Sequence, residues 1–170
     1  MPNTFIKIAS VTVGSGGAAS IEFTSIPSTY TDLCVKLSVR TNRAGSVDDD
    51  VYIKLNGATT NFTYRYLRGN GTSVNSSNGS VGWVAAVPCA NATASTFGNA
   101  EVYIPNYASA NYKSISSDNV TENNATESYA LFQAVLWSNT AAITSVGFTS
   151  GTSNNFVQYS TATLYGIKSS

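Results

Sequence analysis

Residues 101–138, EVYIPNYASANYKSISSDNVTENNATESYALFQAVLWS, constrain the fold more than any other stretch. Three extended runs stand in a row. Residues 101–104 are closed by Pro105, which has no N–H to give a ladder. Residues 112–120 follow a polar loop, and residues 129–137 follow an Asn/Thr/Glu-rich turn at 121–128. None of the three has a helical period. Strands joined by short polar connections make an antiparallel sheet, and its apolar face needs a second layer. A chain of 170 residues suits one domain, so residues 1–170 are read as a single unit.

Charge is scarce. Charged residues make up 11% of the chain, where about 25% is usual. Ser, Thr, Asn and Gly take their place, and the aromatics are mainly Tyr. Nine basic and nine acidic residues cancel. A neutral surface has no long-range pull on phosphate, which argues against nucleic acid or membrane as a partner. It also gives little repulsion between copies, which favours life in an assembly.

The rest of the chain reads as further strands. Residues 5–13 and 18–26 flank the turn Gly14-Ser15-Gly16-Gly17. Residues 33–40 alternate strictly: Leu33, Val35, Leu37 and Val39 face one way, Cys34, Lys36, Ser38 and Arg40 the other. Cys34 is thus expected on the face away from the main core. It and Cys89 are read as unpaired thiols of a chain matured in a reducing cytoplasm. Residues 41–50 read as a loop ending in Asp48, Asp49 and Asp50. Three carboxylates suit a hard cation such as calcium. Adjacent residues of an extended chain point in opposite directions, however, so a solvated loop without metal is the favoured reading.

Residues 62–67 place Phe62, Tyr64 and Tyr66 on one face. With Trp83, on an expected strand at 81–87, they are the candidate ligand-binding residues, as a stacking platform for a sugar; core packing, with Tyr hydroxyls reaching a wet edge, is the favoured reading. Residues 69–80, GNGTSVNSSNGS, read as a long polar loop, and residues 88–96 as another. A short strand at 143–149, a turn at 151–155 and a long final strand at 156–167 close the chain. The total is about 10–11 strands, and the expected fold class is all-β: an antiparallel two-sheet β-sandwich, jelly-roll-like.

Catalysis is not expected. With no histidine, Ser-His-Asp and Cys-His pairs are excluded, and a zinc hydrolase site lacks its usual ligands. A carboxylate pair is the one remaining option, drawn from Glu22, Asp32, Glu101, Asp118, Glu122 and Glu127. No cofactor is implied. The first residues show no cationic and apolar leader, and no run approaches the ~18 apolar residues of a span. The chain is expected to be neither exported by a signal peptide nor anchored.

Four blocks carry a resemblance: IKIASVTVGSGGAASIEFTSIPSTYTDL, EVYIPNYASANYKSISSDNVTENNAT, LWSNTAAITSV and FVQYSTATLYGI. Together they make the chain similar to small virion structural proteins of tailed bacteriophages. That resemblance implies a protein that folds in the host bacterial cytoplasm and ends in the virion. The expected role is a capsid decoration (cement) protein on the particle exterior, stabilising capsomer contacts. Its partners are then other virion proteins, such as a major capsid or tail protein, and further copies of itself, with a trimer as the expected oligomer. The alternative is a tail fibre or baseplate component, or a receptor-binding tip recognising host surface glycan. Partner contacts are expected in residues 41–50, 69–80 and 88–96.

Overall fold

The computed structural model describes residues 4–124 and 128–168. Among them are twelve strands and no helix. In chain order they are β1 Phe5–Thr12, β2 Ser20–Phe23, β3 Asp32–Val39, β4 Asp48–Leu55, β5 Phe62–Gly69 and β6 Val74–Gly79. Then come β7 Trp83–Pro88, β8 Gly98–Ile104, β9 Lys113–Val120, β10 Ala130–Trp137, β11 Val146–Ser150 and β12 Thr161–Ile167. They form two antiparallel sheets, one of eight strands in the order β1-β12-β3-β8-β9-β10-β5-β6 and one of four in the order β2-β11-β4-β7. The fold is an all-β sandwich. The opening stretch supplies β8, β9 and β10, which lie side by side at the centre of the large sheet.

The core follows from alternation. Leu33, Val35, Leu37 and Val39 of β3 meet Val51, Ile53 and Leu55 of β4 across the sandwich, with Trp137, Phe148 and Phe156 filling the space between. Each such side chain removed from water contributes roughly 1.5–3 kcal/mol. Cys34 does sit on the opposite face from this core, yet it is fully buried. Tyr165 and Tyr103 are its cross-strand partners on β12 and β8, and large rings on both sides cover a small thiol. Cys89 is buried too, and both thiols are free.

Four expectations need correction. The stretch 69–80 is not one long loop. It holds the hairpin β5–β6, closed by a turn in which Gly71 has φ 83° and Asn70 Oδ1 accepts the N–H groups of Thr72 and Ser73. Asn and Ser have poor strand propensity, so only the neighbouring β5 holds β6 extended. β6 brings the number of strands among the described residues to twelve, where about 10–11 were expected. Asp48, Asp49 and Asp50 open β4 instead of ending a loop. Residues 18–26 and 156–167 also shorten, to β2 and β12. Phe156 makes only isolated bridges to Ala18 and Thr41, and Tyr159 at φ 72° breaks the extended run.

The two sheets also meet edge to face. β7, the edge of the small sheet, rests on β8, β9 and β10 and is buried along its whole length. Its backbone is met by polar side chains from the large sheet. Asn119 Nδ2 donates to Ala86 O at 2.9 Å, while Ala86 N–H donates to Asn119 Oδ1 at 3.0 Å. Ser117 Oγ donates to Val84 O at 2.5 Å and Gln133 Nε2 to Trp83 O at 3.1 Å. A side-chain amide thus takes the place of a neighbouring strand. This explains why inward positions of β9 and β10 carry buried polar residues where apolar ones would be expected.

Candidate docking face

The structure brings three of the four aromatic candidates together. Tyr64 and Tyr66 project from the inner side of β5 and stack, with ring centres 6.3 Å apart. Both meet the Trp83 ring edge-on, at 5.3 and 5.1 Å. Tyr129 and Tyr52 complete this satellite core, and the Arg68 guanidinium lies 4.3 Å above the Tyr129 ring. Gly79 makes room: a Cβ there would fall 2.6 Å from the Tyr64 ring. Trp83 is buried and donates its indole N–H to Ala85 O at 2.7 Å. The rings pack on one another instead of opening a platform. Phe62 lies apart, buried in the main core and stacked on Trp137 at 6.2 Å.

The acidic run divides as the strand period demands. Asp49 points inward and is fully buried. It accepts hydroxyl hydrogen bonds from Thr41 at 2.8 Å, Ser150 at 2.7 Å and Thr152 at 2.8 Å, and the N–H of Asp50 at 3.0 Å. Asp48 and Asp50 face the other way. Among the described residues no group of three or more His, Cys, Asp or Glu side chains is placed to hold a metal ion. Asp49 is a structural anchor that ties β4 to the loops beside it.

Asp50 lies near Tyr52 and Tyr64 at the rim of the aromatic cluster, and burial followed by the Asp50 charge raises both hydroxyls. Burial, then the neighbouring Asp48 and Asp49 charges, push its own carboxyl from 3.8 up to about 6. Between those values the folded chain binds a proton that the unfolded chain releases, so this group lowers stability as pH rises through the window. Asp50→Asn is therefore expected to stabilise the fold by about 1–2 kcal/mol at pH 7, after discounting for partial exposure. The gain should vanish below about pH 4. Urea titrations of both proteins across pH 3.5–8 check this.

The candidate carboxylates are dispersed. Glu22 pairs with Lys54 across Gly147, and Asp32 accepts the hydroxyl of Tyr103 and the N–H of Asn106. Glu122 accepts the N–H of Asn124, and Glu127 lies outside the described residues. Glu101 and Asp118 are cross-strand partners, but on an open sheet face, with Glu101 paired to Lys36.

The feature not anticipated lies on the outer face of β9-β10-β5-β6. Leu67, Val74, Val120 and Phe132 are 53%, 74%, 48% and 57% exposed. They surround a shallow hollow of about 410 Å³, completed by Gly69 and Ala130 with Asp118 at its side. The register explains the convergence. Phe132 stands opposite Leu67 on one side and Asp118 on the other, while Ala130 stands opposite Val120 and Gly69. No protein-family model, curated protein or solved structure matches the chain. The face has to be understood from its own chemistry. It offers mainly apolar area, with the Asp118 carboxylate as the charged group at its side. Contiguous exposed apolar area of this kind is uncommon on a protein surface. Its signal was present in β10, where Ala130, Phe132, Ala134 and Leu136 interleave with Leu131, Val135 and Trp137. A strand apolar on both faces carries more apolar surface than one core can bury.

Proposed function

We propose that this chain is a virion structural protein on the exterior of a tailed-phage particle, acting as a capsid decoration protein. The exposed apolar face around Phe132 carries the reading. A contiguous patch of this kind marks a protein contact. The neutral charge of the chain suits dense packing of many copies, and the four sequence blocks resemble phage virion proteins. The strand order adds support for a jelly-roll reading. With β5–β6 and β9–β10 set aside, the remaining eight strands interleave first-eighth-third-sixth in one sheet and second-seventh-fourth-fifth in the other.

Docking of the face on a capsomer is testable. The double variant Leu67→Lys/Phe132→Lys should keep its fold, because both side chains are already exposed. Its binding to particles stripped of the protein should weaken by about 30-fold or more, the effect of losing a central contact. Unchanged binding sinks the docking role of this face. Copy number by electron microscopy tests the decoration role itself: only a handful of copies per particle would end it. The glycan-binding alternative draws less support, since Tyr64, Tyr66 and Trp83 bury their ring faces and edges in one another.

A further inference from the structure

Among the described residues the sandwich has four strand edges, and three are protected. β1 is interrupted by a bulge between Lys7 and Ala9 and carries the Lys7 charge. β2 has only four residues, one of them Glu22. β7 is buried, with its backbone met by Ser117, Asn119 and Gln133. β6 has none of these protections. Its six residues, VNSSNG, carry no charge, no proline and no bulge, and all but the last are exposed. An uncharged, regular open edge is a template for another strand.

The hydrogen-bond phase of that edge is fixed by the hairpin. Asn70 N–H donates to Ser73 O at 3.2 Å, so Gly69 and Val74 form a non-bonded pair. The bonded pairs are then Arg68 with Asn75, Tyr66 with Ser77 and Tyr64 with Gly79. The N–H and C=O groups of Val74, Ser76 and Asn78 consequently point to the open side. They are arranged symmetrically about Ser76. We propose that β6 pairs antiparallel with β6 of a second copy about a twofold axis through Ser76. Ser76 then exchanges both backbone bonds with its own counterpart, and Val74 does so with Asn78 of the other copy.

The occupant is a second copy because the edge is complementary to itself. An antiparallel twofold requires outward groups placed evenly about one residue, and this strand supplies them. It also requires that the edge does not repel its own image, and β6 bears no charge. The axis stands perpendicular to the sheet, so both copies keep the same outer face. The row Phe132, Leu67, Ser76 runs on into Ser76, Leu67, Phe132 of its neighbour, and two apolar hollows join into one surface. The inference stands on the edge geometry and not on the virion reading. Its test uses the purified chain alone.

Sedimentation of the wild type should show a monomer–dimer equilibrium. Ser76→Lys and Ser76→Glu place like charges directly opposite each other at the axis, and each alone should lose the dimer. An equimolar mixture of the two should recover it. Ser76 is exposed, so neither substitution threatens the fold, and circular dichroism verifies this. A wild type that stays monomeric at high concentration overturns the proposal, whether or not a foreign strand binds there. A dimer indifferent to Ser76→Lys, or no recovery on mixing, overturns it equally. Copy number on the particle is unaffected by either outcome, so failure here and failure of the decoration reading are distinguishable.

Discussion

Replacing Arg40 by methionine is expected to destabilise the protein by about 3 kcal/mol. Arg40 is only 9% exposed, yet among the described residues its guanidinium meets no carboxylate. It is held by carbonyls. Nη2 donates to Cys89 O at 2.6 Å and Ala92 O at 3.0 Å, and Nη1 donates to Thr93 O at 2.7 Å and Thr96 O at 3.1 Å. One rigid fork thus sets the path of the 89–96 loop. Methionine keeps most of the apolar stem and removes the donors. Two of the stranded carbonyls are buried and cost about 1–3 kcal/mol each, partly offset because a buried cation is also removed. The melting temperature should fall by about 6–12 °C in a chain of this size. Lysine, with a point charge in place of a fork, should recover only part of the loss. A loss below about 1 kcal/mol in urea titration would show that the loop holds itself without the clamp.

Asn119→Leu is expected to cost a similar amount, about 3 kcal/mol, for a different reason. Asn119 is 2% exposed and serves both backbone groups of Ala86 as well as Asn99 O, at 3.1 Å. Leucine matches its size but leaves the N–H and C=O of Ala86 buried and unpaired. Ser117→Ala should cost less, about 1 kcal/mol, since one carbonyl loses one donor. The double variant should lose less than the sum, because detachment of β7 by the first change removes the setting of the second. Equilibrium unfolding of the two single variants and the double variant measures this directly.

Much of the fold was legible because alternation is a physical requirement of a half-buried strand. Leu33 to Val39 and Val51 to Leu55 announce their inner faces. Less legible was anything decided by a neighbour. β6 has no apolar pattern, and its extended form comes from β5 and the Asn70–Ser73 turn. Asp49 reads as one more surface acid; three hydroxyls remote from it in fold or sequence make it an internal anchor. The aromatic residues were recognisable as a group, but that Trp83 meets Tyr64 and Tyr66 depends on β7 resting on β9 and β10, beside β5. The exposed face was hidden for the same reason. Phe132 and Val135 look alike in sequence, and only the position of the small sheet decides which one is covered.

The pairing of β1 with β12 has a consequence for synthesis. Phe5–Thr12 finds its hydrogen-bonding partner only in Thr161–Ile167, near the other end of the described chain. At ribosomal speeds the first strand emerges on the order of ten seconds before its mate exists. Throughout that interval it is a segment without its ladder partner, and the large sheet is incomplete. Long-range closures of this kind also fold slowly. The Lys7 charge and the kink beside it therefore guard this edge against stray pairing while the chain is still being made, as well as in the finished fold.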